Sequence, residues 1–563
     1  MTDPVHLLQE AVELERHILS GYEKPSEALT LETLRALDFA HCRELFPEFQ
    51  LSDSSELQIE SVRQWSINAA LKRVFPIELS ASEPEIPLST ETSAEHVDEF
   101  LLRMGWLSMA ERQLSLLRSG ALKGVVDGRK VQGMTLLVLS IQDPSAYREQ
   151  VGYGGLKWLS DMVVAEDRPK EEILEQRYMQ LLPRLKEYIR SSESPDELPF
   201  DDVDQYFHEW AVLYLRRMSF RDMLADDDCF GGRQFAQYVS VLEALSAMSQ
   251  QRLCYSALMC ANGTGTSVRN ILTGGSSYDD LVESIASFLD AAKQEVIEIL
   301  DHLMLSPDNA ETHLGGDVLT FAPAVRTSSQ LVLLPTYGLE RNPFTFLWTE
   351  LRRRYEKDWF EAANRREARW VSELRMQFPA PRWRCLDGVK LKREGKVLTD
   401  VDFAAHDTQS SSVILFQLKW QQPFLSDNKL RRNNASNLVR DSNKWISDID
   451  SWVMEFGIDG LKERLSIKTG DLSVHLAVLG RYHAHFTLEE EHDARAVWCD
   501  WGNFLRQRRQ YADASAKEFI DRLSESMEQA AAEVIPDSFF VPVGEVMLLI
   551  NPQRVTRAED GAG

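Results

Sequence analysis

The stretch from Lys396 to Trp420, KVLTDVDFAAHDTQSSSVILFQLKW, predicts two β-strands joined by a polar loop. The first strand, Val397–Ala405, carries Asp400 and Asp402 two positions apart, so both carboxylates point to one face of a sheet. The second strand, Val413–Trp420, is an almost continuous apolar run, which is typical of a central strand buried on both faces. The pair therefore predicts the middle of an α/β sheet.

Two polar side chains, Gln417 and Lys419, interrupt the second strand on one face. A buried strand does not carry an ammonium and an amide without partners, because removing them from water costs several kcal/mol. The obvious partners are Asp400 and Asp402 on the neighbouring strand. Carboxylates, an amide oxygen and a lysine that converge at strand ends make a hard-oxygen site for a Mg²⁺-like cation, with an ammonium beside it.

A long helix, predicted from Phe344 to Phe378, precedes the strands. Its apolar positions fall within one arc, and Glu367 lies in the middle of that arc. A carboxylate at the centre of a buried face needs a cation or a proton, so we expect Glu367 at the same site. The apolar positions are Phe360, Ala363, Trp370, Val371, Leu374 and Phe378.

The remaining C-terminal elements alternate between strands and helices, which predicts an α/β core with a mixed sheet. The predicted elements are a leading strand at Val389–Lys392, a helix at Asn437–Phe456, a strand at Ser473–Tyr482, helices at Asp493–Arg509 and Ala514–Val534, and strands at Phe539–Val543 and Val546–Leu549.

The whole chain of 563 residues is predicted to be an α+β multidomain protein with a large, mainly helical N-terminal region. Helical periodicity marks three segments before residue 80 and continues afterwards, including a long helix at Tyr278–Leu303. The predicted domains are a helical N-terminal domain at 1–80, a helical regulatory or sensor region at 92–310, a short β-rich connector at 311–343 and the α/β core at 344–555.

Composition narrows the class of protein further. No apolar run approaches the length of a membrane span, and the six cysteines are scattered, which favours a soluble protein of the reducing cytoplasm. The net charge of −26 is unusual for a nucleic-acid enzyme, but residues 351–450 carry more basic than acidic side chains. The acidic remainder would repel nucleic acid, face a protein partner or a second copy of the chain, or merely aid solubility.

With Glu367 on a helix, Asp402 on a strand and Gln417-Leu418-Lys419 on the next strand, the segment at about residues 355–485 resembles the PD-(D/E)XK nuclease superfamily. The form with glutamine in place of the second acid is similar to Mrr-like restriction endonucleases. The resemblance implies a restriction-endonuclease-like core that hydrolyses phosphodiester bonds with Mg²⁺ or Mn²⁺.

The resemblance also implies residue roles. Asp402 would be the principal metal ligand, with Asp400 as its competitor, and Gln417 would supply a ligand oxygen. Glu367 would bind the metal directly or through water. Lys419 would orient or help deprotonate the attacking water and offset charge on the phosphate. Because Gln417 lacks a negative charge, activity would need more Mg²⁺ or would favour Mn²⁺.

A basic, polar stretch beyond the second strand carries Arg431, Arg432, Arg440 and Lys444. It predicts either a phosphate-contact strip or a solvated helix face. Together these features predict a cytoplasmic, metal-dependent nuclease that acts on DNA rather than RNA, in bacterial defence against phage or foreign DNA. The alternative is a non-catalytic helical scaffold or nucleic-acid-binding protein with a degenerate nuclease fold.

Overall fold

The computed structural model describes residues 3–21, 25–43, 46, 62, 65–81, 86–120, 122–141, 146–191, 201–262, 267–315, 320–423, 428–468, 470–486, 491–533 and 538–550. The chain divides into two compact units. The helical unit comprises residues 1–140, 163–360 and 538–563, and the α/β unit comprises residues 141–162 and 361–537.

Helices dominate the chain before residue 355. In chain order the elements are α1 (Pro4–Leu19), α2 (Glu27–Cys42), α3 (Ile67–Val74), α4 (Glu91–Arg118), β1 (Leu122–Val131), β2 (Met134–Ile141), α5 (Ala146–Ser191), α6 (Asp201–Arg216), a 3₁₀ turn (Arg221–Met223), β3 (Cys229–Phe230), β4 (Arg233–Gln234), α7 (Phe235–Ala261), α8 (Arg269–Leu272), β5 (Gly274–Ser277), α9 (Tyr278–Leu289), α10 (Lys293–Leu300), β6 (Met304–Leu305), α11 (Ala310–Leu314), β7 (Ala324–Arg326), β8 (Leu331–Leu334), α12 (Thr336–Glu340) and α13 (Pro343–Arg354).

Strands and helices alternate in the rest of the chain. The elements are α14 (Glu356–Met376), β9 (Trp383–Arg393), β10 (Lys396–Asp407), β11 (Ser412–Lys419), α15 (Asn428–Leu465), β12 (Ser473–Gly480), β13 (Ala496–Asp500), α16 (Trp501–Gln510), α17 (Ala516–Glu533), β14 (Phe539–Val543) and β15 (Val546–Ile550).

The α/β unit is built on a five-stranded mixed sheet with the order β13-β12-β11-β10-β9. Strand β10 pairs antiparallel with both β9 and β11, whereas β12 pairs parallel with both β11 and β13. The prediction of an α+β multidomain protein with a mixed sheet is therefore confirmed. Both strands of the diagnostic stretch lie in this sheet, and β11 is its middle strand.

Helices cover both faces of this sheet. Trp445, Ile446 and Ile449 of α15 pack on one face. Trp370 and Leu374 of α14, with side chains of α16 and α17, pack on the other. This two-sided cover explains why β11 is apolar along most of its length, since alternate side chains must both enter a core. Burial of each large apolar side chain stabilises the unit by about 1.5–3 kcal/mol.

The two long predicted helices are each broken in two. The segment predicted as one helix from Phe344 becomes α13 and α14, and Tyr355 between them has φ −130° and ψ 57°. The helix predicted at Tyr278–Leu303 becomes α9 and α10, because Asp290 ends α9 in a left-handed conformation with φ 49°. Apolar periodicity continues across both breaks, so it does not reveal them.

Two further assignments made from the sequence are wrong. A β-hairpin, β1–β2, lies inside the region predicted to be helical, and its turn residues Gln132 and Gly133 have φ 52° and 83°. Positive φ at both positions suits the tight turn of a hairpin. The helix predicted at Asp493–Arg509 instead contains β13 followed by α16. Asp500 starts α16 by accepting a hydrogen bond from the main-chain N–H of Asn503.

The C-terminal strands belong to the helical unit. Strand β15 pairs parallel with β2 and antiparallel with β14, which completes a four-stranded sheet with the order β1-β2-β15-β14. The α/β unit therefore ends before β14, whereas the predicted core domain extended to residue 555. None of the helices in the described ranges is long and apolar enough to cross a membrane.

The three parallel strands end at a common edge of the central sheet. Lys419, the last residue of β11, lies opposite Gly480 of β12, and Gly480 lies opposite Asp500 of β13. The carboxyl ends of parallel strands form a crevice that commonly carries binding sites. The polar end of β11 thus lies where the topology favours a functional site.

Candidate functional site

The centre of the candidate site is the carboxyl group of Asp402. Its Oδ2 atom accepts a hydrogen bond of 2.5 Å from Nε2 of Gln417 and one of 2.7 Å from the main-chain N–H of Leu418. The antiparallel register explains this contact. Phe403 lies opposite Phe416, so Asp402, one residue before Phe403, lies beside Gln417, one residue after Phe416. The predicted pairing of Asp402 with Gln417 is therefore present.

The surroundings of Asp402 oppose its negative charge. Burial, together with the nearby carboxylates of Asp400 and Glu367, raises the pKa of the Asp402 carboxyl to about 6. The Leu418 N–H and the Lys419 ammonium act in the other direction and lower the pKa. The charges of Asp400, Glu367 and Lys419 thus all act on the Asp402 carboxyl, and the two acids together outweigh the lysine.

Asp400 differs from Asp402 in its exposure. Its side chain is exposed, whereas its main-chain carbonyl accepts a hydrogen bond of 2.6 Å from Nε1 of the buried Trp445. This bond fixes the backbone of β10 two residues before Asp402. Of the two competing aspartates, Asp402 is the one held by donors.

Glu367 does not occupy the centre of the buried face of α14, as the sequence predicted. The buried row is Ala362, Arg366 and Trp370, at four-residue spacing, and Glu367 is exposed beside it. Phe360, counted in the predicted arc, is 54% exposed. The prediction failed because it required the charged Arg366 to face solvent. Its guanidinium carbon instead lies 5.2 Å from the ring centre of Trp420, and its stem is covered.

Lys419 is half-buried at the end of β11. Within the described ranges its ammonium makes no hydrogen bond or ion pair shorter than 4 Å. Its effect on Asp402 is therefore exerted through space. Its main-chain carbonyl accepts a 3.0 Å hydrogen bond from the N–H of Arg481, which follows β12. The backbone of Lys419 is thus fixed while its ammonium stays available to a ligand.

The sequence reasoning missed a cluster of aromatic rings and a guanidinium beside Lys419. Arg481 is 6% exposed, and its guanidinium carbon lies 4.5 Å from the ring centre of Trp420, 5.7 Å from that of Trp370 and 5.4 Å from that of Trp501. It donates a 2.6 Å hydrogen bond to Glu373. The sequence contains a signal for this cluster, because Trp420, Arg481 and Trp501 directly follow the parallel strands β11, β12 and β13.

The predicted basic strip is only partly accessible. Arg431 is buried, with 6% of its surface exposed, so it does not fit a phosphate-contact role. Arg440 is exposed and lies 3.5 Å from Asp441, and Lys444 is exposed and lies 2.5 Å from Asp448. Arg432 is exposed on the same helix, α15. The three exposed side chains suit either a phosphate-contact strip or a solvated helix face.

Two side-chain oxygen atoms at Asp402 are of the kind that a hard cation binds. No three His, Cys, Asp or Glu side chains in the described part of the chain form a ready cluster for a metal ion. The oxygen atoms that remain available as metal ligands are Oδ1 of Asp402 and Oε1 of Gln417. Neither accepts a hydrogen bond from a described residue. Carboxylate and amide oxygens suit Mg²⁺ or Mn²⁺. A cation would offset the repulsion that raises the pKa of Asp402.

Comparison of the chain with protein-family models, with curated proteins and with solved structures found no match. The resemblance to the PD-(D/E)XK nucleases therefore stays a prediction from the motif.

Proposed function

We propose that the α/β unit is a metal-dependent nuclease that hydrolyses phosphodiester bonds. The observation that carries this proposal is the carboxyl of Asp402, which two N–H donors orient and whose pKa responds to the charges of Asp400, Glu367 and Lys419. An excess of acids with one ammonium is the charge pattern that a divalent cation and a phosphate diester would complement together.

In this proposal Asp402 and Gln417 hold the cation through their free oxygens, and Glu367 and Asp400 contribute negative charge around it. The cation would lower the pKa of a bound water and stabilise charge on the phosphate during displacement. Lys419 would orient the attacking water and offset the charge that develops on the phosphate. The partly buried position of Lys419 strengthens that electrostatic effect relative to a fully hydrated ammonium.

DNA is the proposed substrate, on the strength of the family resemblance alone, and defence against phage or foreign DNA in the bacterial cytoplasm is the proposed biological role. We propose regulation or partner docking for the helical unit, through its acidic surface or with a second copy of the chain. Electrostatic attraction to nucleic acid would then have to come from the more basic segment at residues 351–450.

A cleavage assay tests the proposed activity. The full chain would be incubated with plasmid DNA, linear DNA and RNA, in Mg²⁺ or Mn²⁺, alongside Asp402→Asn and Lys419→Met. We expect each variant to lose cleavage by at least about a hundredfold, because each removes a group that acts in the transition state. Lys392→Met is the matched control, since Lys392 is an exposed lysine on β9 that lies opposite Val397, five residues before Asp402. Circular dichroism and a urea titration would verify that the variants fold.

Three outcomes would count against the proposal. Cleavage that survives both substitutions would place the activity elsewhere. Loss of cleavage in Lys392→Met as well would indicate a general effect of charge. Absence of cleavage of any substrate in either metal, with nucleic-acid binding unchanged by the substitutions, would favour the non-catalytic scaffold. Cleavage of RNA in preference to DNA would change the proposed substrate and leave the proposed nuclease activity in place.

A further inference from the structure

We propose that Gln417 acts as a hydrogen-bond donor that occupies Oδ2 of Asp402, and that the site consequently holds one divalent cation per chain. The inference rests on the proposed metal-dependent function. It assigns to Gln417 a positioning role toward Asp402 in addition to the ligand role that the sequence suggested, and it fixes the number of ions.

The first step concerns which atoms of Asp402 remain free. Two N–H groups, from Nε2 of Gln417 at 2.5 Å and from the main chain of Leu418 at 2.7 Å, converge on Oδ2. A carboxylate oxygen offers about two lone-pair directions, so both are used. Oδ1 accepts no hydrogen bond from any residue in the described ranges. An approaching cation therefore meets one open oxygen of this carboxylate.

The second step concerns how firmly Oδ2 is held. The Leu418 donor belongs to the backbone of the central strand β11, and Gln417 is only 9% exposed. A cation that took Oδ2 would displace both donors and leave a buried N–H group unpaired, which is unfavourable. The arrangement thus favours a cation on Oδ1.

The third step concerns the orientation of the Gln417 amide. Only its NH₂ end can face a carboxylate oxygen that is already an acceptor. The opposite atom, Oε1, then points away from Oδ2 and is free to serve as a neutral ligand. The glutamine can therefore position Asp402 with one end and contact a cation with the other, whereas a glutamate at this position would set two acceptors against each other.

The last step concerns the number of ions. Two-metal phosphodiester sites hold their ions about 3.5–4 Å apart, a spacing commonly maintained by a carboxylate that uses both oxygens. Asp402 has one oxygen to offer, and Asp400 and Glu367 are exposed. The geometry therefore suits one ion.

Manganese titration of the full chain tests the stoichiometry. Calorimetry and electron paramagnetic resonance would be recorded for the wild type, Asp402→Asn and Gln417→Met, in the absence of nucleic acid. We expect one Mn²⁺ per chain without spin coupling between ions, at least tenfold weaker binding in Gln417→Met with the same stoichiometry, and no binding at this site in Asp402→Asn. Lys392→Met should bind as the wild type does.

Magnetic resonance of ¹⁵N-labelled glutamine side chains tests the donor role separately. The Gln417 amide signal would be identified by its loss in Gln417→Met. We expect one amide proton to lie downfield of the free-amide position both before and after Mg²⁺ is added, because the bond to Oδ2 persists. A signal at the free-amide position in the Mg²⁺-loaded protein would overturn the donor role.

The failure of this inference can be distinguished from the failure of the proposed function. Two spin-coupled Mn²⁺ ions per chain would overturn the one-ion inference while leaving a metal-dependent nuclease in place. No Mn²⁺ binding at all, or binding unchanged in Asp402→Asn, would overturn the inference together with the metal site on which the proposed function depends.

Discussion

The nearest groups stabilise the ionised form of Asp402, whereas its wider surroundings destabilise that form. Two N–H donors favour its ionised form, whereas burial and two neighbouring carboxylates favour its protonated form and bring its pKa to about 6. An acid in such a position is costly to ionise unless a cation arrives. Asp407 behaves differently, because it pairs with Arg382 and the pKa of its carboxyl falls to about 2.

The cost of ionising Asp402 gives a pH-dependent prediction. The pKa of Asp402 is about 6 in the folded chain and about 3.9 in an unfolded one. The protonated carboxyl therefore favours the folded state, and this stabilisation is complete below the lower value and is lost as the pH rises through about 6. The Asp402→Asn variant, which cannot ionise, should exceed the wild type in unfolding free energy by about 2–3 kcal/mol at pH 8.

Urea unfolding with a metal chelator, at pH 4.5 and pH 8, would measure this difference. The advantage of Asp402→Asn should shrink toward the lower pH, and saturating Mg²⁺ should reverse it at pH 8, because only the wild type gains from binding the ion. An advantage of equal size at both pH values would contradict the assigned ionisation.

Helix α15 holds the strands that carry the site. Nε1 of Trp445 donates to the carbonyl of Asp400 on β10, and Nε1 of Trp452 donates at 2.9 Å to the carbonyl of Lys392 on β9. Both indole rings are almost fully buried in the same core. The helix therefore fixes two adjacent strands by equivalent hydrogen bonds. Only the bond from Trp445 lies near Asp402.

This equivalence provides a matched pair of variants. Trp445→Phe and Trp452→Phe should each lower the free energy of unfolding by about 1–3 kcal/mol, since each leaves a carbonyl unpaired and a small void. Only Trp445→Phe should also weaken Mn²⁺ binding, by about threefold to tenfold, because it releases the backbone beside Asp402. Equal weakening in both variants would show that the loss follows from stability alone.

The pairing of the two diagnostic strands could be predicted from the sequence because its cause is local. Gln417 and Lys419 needed partners, and strand alternation left Asp400 and Asp402 as the nearest ones. The position of Glu367 could not be predicted from helical periodicity, because the buried row of α14 includes Arg366. A long polar side chain can lie on an apolar surface, and periodicity alone treats it as solvent-facing.

The aromatic cluster around Arg481 depends on contacts between residues distant in the sequence. Trp420, Arg481 and Trp501 each follow a different strand, and the parallel order of β11, β12 and β13 brings these three together beside Trp370 of α14. Similarly, the hairpin β1–β2 is stabilised by pairing with β15 near the other end of the chain. A local apolar pattern does not contain such information.

The molecule as a whole is built so that the α/β unit interrupts the helical unit. The helical unit contributes β1 and β2 early in the chain and β14 and β15 after the α/β unit has ended. Leu548 and Ile550 of β15 are almost completely buried, as are Leu137 and Leu139 of β2. The last strands are therefore part of the core of the helical unit.

Truncation after residue 537 tests this organisation. Removing β14 and β15 should destabilise the helical unit by several kcal/mol, because a four-stranded sheet loses two strands and their buried side chains. The α/β unit should keep its own unfolding transition. Limited proteolysis with mass spectrometry would locate the cleavage sites. Cuts confined to residues 361–537 would contradict the assignment of these strands.

The pairing of β15 with β2 also has a consequence for biosynthesis. When residue 537 has been translated, the whole of the α/β unit has been synthesised. Strand β15, which pairs with the apolar edge of β2, has not yet been synthesised at that point. Until translation passes residue 550, the nascent polypeptide exposes an unpaired strand edge of the kind that promotes aggregation. A chaperone that shields Met134–Ile141 during synthesis would therefore protect this protein more than one that acts on its finished form.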